Sequence, residues 1–360
     1  MKKAVSIIGS ICCAISLLVS VFAQKVQAEE LTVMEEEQTA TTVTPVIYAA
    51  DISNIYTYTM MQNDIAQLSM MYPDVLQFQS VGKSEEGRDI YLLIFGNPEA
   101  EHAVFVDGSI HGREYITTQL IMHMLLNYTV NYETNLAYQE MLKDVCFYIV
   151  PMANPDGVSI SQLGEAAITD ENRLALLRNL YHIEHSYHQS YRNYLARWKA
   201  NANGVDLNRN FDAGWNTFSE HLSQSSEKFK GVAPGTETET MALMNAFQQR
   251  EFDCVLNYHA RGEVIYYGAC GISAELTGKS INLAKLVNSV NHYKMVDTTK
   301  SASCVSGGFG DWVMMAQNTP SVAIEVGKSE CPVAQSEFVS IWNKNNSMWK
   351  VVSDYVKTSN

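Results

Sequence analysis

The sequence has little positive charge. Its 360 residues contain 25 lysines and arginines against 39 aspartates and glutamates, which gives a formal net charge of −14 at pH 7. A chain this acidic lacks the basic surface that neutralises a phosphate backbone, so we do not expect nucleic acid as a partner. The negative charge does not exclude small peptides as substrates.

The chain also lacks any Cys-x-x-Cys pair, the spacing that is typical of a structural zinc cluster or a thioredoxin-like redox site. Cys146 and Cys254 lie inside apolar, strand-like runs and are predicted to be buried thiols. Cys270, Cys304 and Cys331 lie in loop-like contexts, where one pair could form a disulfide in an oxidising compartment. The sequence leaves open which pair that is.

The N-terminus carries a long apolar run. Two lysines precede the apolar residues 4–23, and a small-x-small site follows at residues 26–28. This pattern is typical of a secretory signal peptide cleaved after residue 28, and an uncleaved membrane anchor is the alternative. We expect an exported protein, secreted or in the cell-wall space, without a stable membrane anchor. Cleavage would remove three lysines and no acid, so the charge of −14 would become −17.

Residues 29–50 are rich in glutamate and threonine and show no periodicity, which predicts a flexible lead-in. Residues 51–360 are enough for one large catalytic domain, and they contain no internal repeat. In this part, strand-like runs alternate with amphipathic helical stretches. The predicted strands are 76–81, 89–95, 103–106, 145–150, 252–258, 264–267 and 321–326. The alternation predicts an α/β fold, a single domain with a mixed, mostly parallel twisted sheet and helices on both faces.

Polar side chains follow three of these strands. His111 and Glu114 come after the third strand, His259 directly follows the fifth, and Glu325 lies near the end of the seventh. Because ligands bind beyond the carboxyl ends of strands in open α/β sheets, we expect these residues to meet. Two histidines and a glutamate would supply three of the four ligands of a zinc ion. The fourth position would stay open for water, which is the arrangement of a catalytic zinc site. The sequence therefore predicts one Zn²⁺ per chain, with Glu325 as the base that takes a proton from water.

An alternative metal site consists of His182, His185 and His188, which are spaced three residues apart. Steps of three residues rotate around a helix, and no acid fixes a catalytic geometry there. A solvated helix face is the favoured interpretation of these histidines.

Seven short motifs occur in order across residues 55–350. They are Gly82-Lys-Ser-Glu-Glu-Gly-Arg-Asp89, His111-Gly-Arg-Glu114, Asn154-Pro-Asp-Gly157, Gly204-Val-Asp-Leu-Asn-Arg-Asn-Phe211, Tyr258-His259, Ser306-Gly-Gly308 with Asp311-Trp312, and Ile324-Glu325. As an ordered set they resemble the zinc metallocarboxypeptidases of the carboxypeptidase A type. The resemblance implies that family's fold, its catalytic zinc and its hydrolysis of a peptide bond beside a terminal carboxylate.

The resemblance implies roles for further residues. His111, Glu114 and His259 would bind zinc, and Glu325 would be the general base. Asp206 matches the carboxylate that orients the first histidine. Asn208 and Arg209 match the pair that holds the terminal carboxylate of the substrate, a use that suits the planar guanidinium.

Three positions depart from the family pattern. The family's arginine that polarises the scissile carbonyl has two candidates here, Arg197 and Lys199. Ser303 stands where pancreatic-type enzymes have a mobile, substrate-contacting tyrosine, and the specificity position is Gly310. The pocket is therefore not expected to prefer bulky apolar or basic side chains.

The stretch 198–211 and the segments 325–327 and 331–333 are most similar to bacterial family members that cut peptidoglycan peptides. In those enzymes the bond lies between γ-D-glutamate and meso-diaminopimelate. The resemblance thus implies a cell-wall muropeptide as substrate. The alternatives are a general carboxypeptidase for peptides and proteins, a catalytically inactive binding module, and an amide deacylase, which the Asn208-Arg209 pair argues against.

Overall fold

The computed structural model describes residues 47–184, 189–217, 221–301, 304 and 306–358. In these residues eight strands form one sheet, in the order β1-β2-β4-β3-β5-β8-β6-β7. The strands are β1 (Leu76–Lys83), β2 (Asp89–Phe95), β3 (His102–Gly108), β4 (Val145–Val150), β5 (Cys254–His259), β6 (Val264–Tyr267), β7 (Lys294–Asp297) and β8 (Ser321–Glu325). The centre, β4-β3-β5-β8, is parallel, whereas β1, β2 and β6 pair antiparallel with their inner neighbours. The predicted mixed, mostly parallel sheet is confirmed.

Helices cover both faces of the sheet. They are α1 (Tyr58–Met71), α2 (Ile116–Val130), α3 (Leu136–Asp144), α4 (Pro155–Leu163), α5 (Glu171–Ile183), α6 (Tyr191–Ala196), α7 (Thr238–Phe247), α8 (Ala274–Asn291), α9 (Phe309–Gln317), α10 (Phe338–Asn345) and α11 (Met348–Val356). Helices α1, α2, α8, α10 and α11 contribute to the apolar core on one face, and α7 and α9 to the core on the other.

Strand β3 lies in the middle of the parallel part of the sheet, between β4 and β5. All seven of its residues are buried. Val104 and Val106 belong to one core, and Ala103 and Phe105 to the other, because successive side chains point to opposite faces. The loop after β3 therefore emerges at the centre of the edge formed by the carboxyl ends of the strands.

Residues 338–356 have a continuous amphipathic pattern that predicts a single helix, but they form two helices. The Tyr128 hydroxyl donates to the carbonyl of Asn346 at 3.0 Å and accepts from the backbone N–H of Lys350 at 3.2 Å. Those two backbone groups are four residues apart and would bond each other in a continuous helix. The Tyr128 side chain therefore replaces one backbone hydrogen bond of the helix and separates α10 from α11.

Residues 47–50, predicted as the end of the lead-in, pack against α1. Tyr48–Ala50 is a short 3-10 helix, and Ala49 is fully buried. Asp64 accepts hydrogen bonds from the backbone N–H groups of Tyr48 at 2.7 Å and Ala49 at 2.6 Å. The predicted signal peptide and residues 29–46 lie outside the described residues.

The structure resolves the cysteine pairing. Cys270 and Cys304 form a disulfide. Cys146 and Cys254 are buried thiols, as predicted. Cys331 is also a thiol, and its Sγ donates to the carbonyl of Ala260 at 3.3 Å.

A buried carboxyl in the first turn of α7 makes folding stability depend on pH. Burial, reinforced by the charges of Asp156 and Glu85, raises the pKa of Glu239 to about 8. Between the ordinary carboxyl pKa and about 8, the folded state holds a proton that the unfolded state has released, so stability falls as pH rises through this window.

We expect Glu239→Gln to flatten that pH dependence, because glutamine keeps the shape and cannot ionise. The slope removed is at most about 1.4 kcal/mol per pH unit. Urea unfolding of both proteins at pH 5, 6.5 and 8 measures it. Equal slopes in the two proteins would contradict the assignment of this pH dependence to Glu239.

Candidate metal centre and active site

The predicted site residues meet at the carboxyl ends of the central strands. His111 and Glu114 follow β3, and the short 3-10 turn Gly112–Glu114 brings the carboxylate back towards the imidazole. His259 and Glu325 are the last residues of β5 and β8 and are partners in the ladder. Partners in adjacent strands have side chains on the same face of a sheet.

Three of these side chains form a cluster that fits a metal ion. Nδ1 of His111 lies 2.9 Å from Oε1 of Glu114, and Nδ1 of His259 lies 3.1 Å from Oε2 of the same carboxylate. One ligand atom from each residue lies within 4.8 Å of the others, and all three residues are at least 95% buried. Two imidazole nitrogens and one carboxylate are the donor set of a catalytic zinc site.

The surroundings of Glu114 favour its ionised carboxylate, which is the form that binds a metal ion. Burial opposes ionisation of Glu114, but His111 and His259 outweigh it and hold the pKa of this carboxyl well below its ordinary value. The backbone N–H of Ala260 also donates to Oε2 at 3.1 Å. The glutamate is therefore anionic and held in place by both histidine-bearing segments.

Asp206 lies behind His111, on the side away from Glu114. Its Oδ1 is 3.3 Å from Nε2 of His111, and its Oδ2 is 3.2 Å from Nζ of Lys199. Burial raises the pKa of the Asp206 carboxyl, but the charges of Lys199, His111 and Arg209 outweigh burial and keep the pKa well below its ordinary value. An anionic Asp206 orients the imidazole so that Nδ1 faces the cluster.

The two candidate cations have different surroundings. Lys199 lines the cavity next to the cluster, with its side chain 13% exposed. The side chain of Arg197 is 49% exposed and pairs with Glu330. The geometry favours Lys199 as the group that faces a scissile carbonyl.

We expect Lys199→Met to lower kcat by about 100-fold, because it removes a positive charge at the position where negative charge develops. Arg197→Met is the matched comparison and should change kcat less than about threefold, as expected for an exposed ion pair. Steady-state kinetics of the two zinc-loaded variants measure both effects. A larger loss in the Arg197 variant would reverse the assignment.

The Asn154-Pro-Asp-Gly157 motif joins the loop that follows β3 to the segment that carries Lys199. The side-chain amide of Asn154 donates to the carbonyls of Ile110 at 3.2 Å and Ala200 at 3.1 Å. A Cβ on Gly112 would lie 2.4 Å from the backbone of Gly157, so only glycine permits this contact. The motif thus sets the position of two parts of the site.

A cavity of about 500 Å³ lies next to the cluster. Its lining includes His111, Lys199, Asn208, Arg209, Asn257, His259, Tyr266, Gly310, Asp311, Ser321 and Glu325. Oδ1 of Asn208 accepts from the backbone N–H of Phe309 at 2.9 Å, which leaves the amide nitrogen available to a ligand. The residues implied to hold a carboxylate therefore share a cavity with the cluster. Ser303, the other predicted contact, lies outside the described residues.

Glu325 faces the same cavity and is partly exposed to it. Burial raises the pKa of its carboxyl to about 7, with the charge of His259 opposing the shift and that of Glu114 adding to it. A base whose pKa lies near the working pH is effective in proton transfer.

Sequence reasoning missed several polar residues of this cavity, among them Asn257 on β5 and Ser321 on β8. Asn257 lies inside a predicted apolar strand, where a polar side chain is unusual unless it has a structural or functional role. That signal could have identified Asn257. Of the alternative histidine site, His182 is at the end of α5, while His185 and His188 lie outside the described residues.

Comparison with known proteins agrees with this geometry. The family model described as "Zinc carboxypeptidase" matches residues 61–347. The chain is 30% identical over 296 residues to "Gamma-D-glutamyl-L-diamino acid endopeptidase 1" of Lysinibacillus sphaericus, covering 80% of this chain and 70% of the relative. It is 26% identical over 218 residues to human "Mast cell carboxypeptidase A", covering 60% and 47%.

A solved structure shows the same fold. Carboxypeptidase A from Helicoverpa armigera superposes with a TM-score of 0.69 at 18% identity, covering 92% of this chain and 81% of that one. In the described part of our chain, none of the helices has the length and apolar character needed to span a bilayer. With the family model matching most of its length, the chain belongs to the zinc carboxypeptidase family and is a zinc metallopeptidase.

Proposed function

We propose that the protein is an exported peptidase that cleaves the amide between γ-D-glutamate and meso-diaminopimelate in peptidoglycan peptides. The observation that carries the proposal is one cavity in which Glu325, Arg209 and the zinc-binding cluster meet. This arrangement suits an amide whose nitrogen belongs to a residue with a free carboxylate. The Lysinibacillus relative, named for a γ-D-glutamyl bond to a diamino acid, supports the narrower substrate class.

Each of these side chains has a separate role in hydrolysis. Asn208 and Arg209 bind the carboxylate next to the scissile nitrogen and orient the amide. His111, Glu114 and His259 would hold a zinc ion, which would supply a Lewis acid for activation of water and polarisation of the carbonyl. Glu325 takes a proton from the attacking water, and Lys199 stabilises the negative charge on the carbonyl oxygen. As the C–N bond breaks, Glu325 gives that proton to the leaving nitrogen.

A γ-glutamyl tripeptide and an ordinary peptide present the same group to Asn208 and Arg209, a free carboxylate on the carbon that bears the scissile nitrogen. In L-Ala-γ-D-Glu-meso-diaminopimelate, the carboxylate on the diaminopimelate carbon that bears the scissile nitrogen is free. It therefore occupies the position of a C-terminal carboxylate. The difference lies on the acyl side of the bond, where the chain continues through the γ-carbon of glutamate.

The experiment compares the two substrate classes with zinc-loaded mature protein. L-Ala-γ-D-Glu-meso-diaminopimelate and a set of ordinary C-terminal tripeptides are incubated separately, and released amino acids are quantified by mass spectrometry. We expect release of diaminopimelate with a kcat/KM at least 100-fold above that of the ordinary peptides. Release from ordinary peptides alone would replace the proposal with a general carboxypeptidase. Zinc binding at one ion per chain without any hydrolysis would indicate a binding module.

Export is the second part of the proposal, and it rests on the apolar N-terminus followed by a small-x-small site. N-terminal sequencing of the protein recovered from the medium or cell wall should begin at residue 29. Full-length protein recovered only from the membrane fraction would favour an uncleaved anchor.

A further inference from the structure

Residues 82–89, the first of the seven motifs, span the turn between β1 and β2 and lie beside the start of α7. Glu85 of this turn forms a cluster with Glu237 and Glu239, in which one carboxylate oxygen from each residue lies within 4.8 Å of the others. We call these three glutamates the acidic anchor. Every carboxylate oxygen of the acidic anchor lies within 3.3 Å of an N–H or O–H group of the protein. The contacts of these oxygens therefore show what the acidic anchor holds in place.

Asn201 connects the acidic anchor to the segment that carries Lys199. Its side chain is fully buried, and Nδ2 donates to Oε2 of Glu237 at 2.9 Å and to Oε2 of Glu239 at 3.2 Å. Oδ1 accepts from the backbone N–H groups of Asn203 at 3.1 Å and Val205 at 3.0 Å. Because a backbone N–H can only donate, these two contacts identify the oxygen of the amide. The amide nitrogen therefore faces the acidic anchor.

Asn201 closes a short loop that has Lys199 at one end and Asp206 at the other. The backbone N–H of Asn201 donates to the carbonyl of Val205 at 2.9 Å, so the chain reverses direction between these two residues. The reversal brings Nζ of Lys199 to 3.2 Å from Oδ2 of Asp206, whose Oδ1 lies 3.3 Å from Nε2 of His111. The loop thus determines where the positive charge lies relative to the metal cluster.

Backbone hydrogen bonds also fix both ends of the loop. The N–H of Lys199 donates to the carbonyl of Ser226 at 3.1 Å, and its carbonyl accepts from the N–H of Gly112 at 3.0 Å. The N–H of Asp206 donates to the carbonyl of Phe229 at 2.8 Å. The side chain of Lys199 is long and flexible, so the position of its ammonium depends on the pair with Asp206. That pair requires the loop between the two residues to keep its shape.

The acidic anchor and Asn201 lie outside the cavity next to the metal cluster. In the described part of the chain, the residues that line this cavity include Lys199, Asn208 and Arg209 but none of these four. An effect of Asn201 on hydrolysis must therefore pass through a residue that does line the cavity. Lys199 is two residues away, whereas Asn208 is held separately by the backbone N–H of Phe309.

On the basis of the proposed function, in which Lys199 stabilises charge on the carbonyl oxygen, we infer that Asn201 is a positioning residue for Lys199. The acidic anchor holds the amide of Asn201, the amide fixes the loop, and the loop keeps Lys199 paired with Asp206 beside the cavity. The turn between β1 and β2 contributes through Glu85, whose backbone N–H donates to Oε1 of Glu239 at 3.3 Å.

Asn201→Asp tests this inference. The change keeps the oxygen that accepts from the loop and replaces the amide donor with a second oxygen, which faces the acidic anchor. We expect kcat to fall about tenfold or more, because a misplaced charge stabilises the carbonyl oxygen poorly. KM should change less than about threefold, because Asn208 and Arg209 still bind the substrate carboxylate. Steady-state kinetics of the zinc-loaded protein with L-Ala-γ-D-Glu-meso-diaminopimelate measure both values.

A second substitution restores the contact with donor and acceptor exchanged. Glu237→Gln offers an amide N–H to the carboxylate that Asn201→Asp introduces. We expect the double variant to recover kcat to within about threefold of the parent value. Glu237→Gln alone should have little effect, because glutamine keeps an oxygen that accepts from Asn201. A double variant as slow as Asn201→Asp would contradict the proposed contact.

The combination of Asn201→Asp with Lys199→Met identifies the residue through which Asn201 acts. Residues that act as a unit have non-additive effects, so this double variant should have the kcat of Lys199→Met within about twofold. A purely structural role predicts losses that multiply, and multiplied losses would overturn the inference. The zinc content of each variant shows whether the rates refer to loaded protein.

Asn203→Asp is the matched control. Nδ2 of Asn203 also donates to Oε2 of Glu237, at 3.2 Å, so the same change brings a negative charge to the same carboxylate. Oδ1 of Asn203, however, accepts from Nε of Arg173 at 2.9 Å, and this side chain does not close the loop. We expect kcat within about threefold of the parent value, as for a side chain without a role in positioning. An equal loss in both variants would assign the effect to charge alone and overturn the inference.

Failure of the proposed function has different signatures. If the parent cleaves ordinary peptides but no γ-D-glutamyl tripeptide, the same variants are compared with an ordinary peptide, because Lys199 faces the scissile carbonyl in both substrate classes. If Lys199→Met keeps full activity, crystal structures of the zinc-loaded parent and Asn201→Asp decide the inference. It predicts that Lys199 pairs with Asp206 in the parent and loses this pair in the variant. An intact pair in the variant would overturn it.

Discussion

Glu325→Gln is expected to lower kcat by about 10³-fold while the protein still binds one zinc ion. A general base contributes about 10²- to 10⁴-fold, and glutamine keeps the shape of the side chain but cannot take a proton. Burial raises the pKa of Glu325 to about 7, which suits the role of base proposed for it. Single-turnover kinetics with L-Ala-γ-D-Glu-meso-diaminopimelate measure the loss, and atomic absorption measures the metal.

Glu330→Gln is the matched control for this variant. Glu330 is 69% exposed and pairs with Arg197 at the surface, so the same chemical change should leave kcat within about twofold. Full activity of the Glu325 variant, with zinc bound, would assign the proton transfer to another group.

His259→Ala is expected to abolish both zinc binding and hydrolysis. The cluster has two imidazole nitrogens and one carboxylate, and the loss of one of three ligands leaves too few donors for a catalytic zinc site. Zinc that binds the folded protein also raises its melting temperature, so zinc should stabilise the parent and have little effect on this variant. Metal content and thermal unfolding with and without added zinc measure the effect independently of catalysis.

His182→Ala serves as the control, because this residue belongs to the alternative histidine site at the end of α5. It should retain one zinc ion per chain and the stabilisation by zinc. Loss of zinc in this variant, with zinc retained in His259→Ala, would move the metal site to the histidine-rich stretch.

Much of the fold follows from local patterns. Strands β2, β4 and β6 have their predicted bounds, because short apolar runs between turn residues have few other stable conformations in a folded core. Strand β7 and helix α3 were not predicted. The residues of β7 are partly exposed or exposed, so no apolar pattern indicates the strand. Pairing with β6 at the edge of the sheet is what makes this segment a strand.

The break between α10 and α11 has a similar origin. The apolar period continues through residues 338–356, and a single helix is the natural prediction from it. The hydroxyl that interrupts the ladder comes from Tyr128, more than 200 residues earlier in the chain. A local pattern contains no information about such a partner.

By itself the sequence determined which residue types stand at the ends of the central strands. It therefore identified the candidate ligands His111, Glu114 and His259 and the candidate base Glu325. The structure brings these four residues together because a strand and the turn after it are encoded locally, and the carboxyl ends of parallel strands meet at one edge of the sheet.

The tertiary structure decided everything that depends on which distant segments pack against each other. It brought Lys199 rather than Arg197 into the cavity, and it paired Cys270 with Cys304. It also placed Asn257 and Ser321 side by side beneath Gly310. The direction of a side chain in a loop, and its neighbours across a sheet, depend on backbone positions set by long-range packing. Spacing along the chain does not encode them.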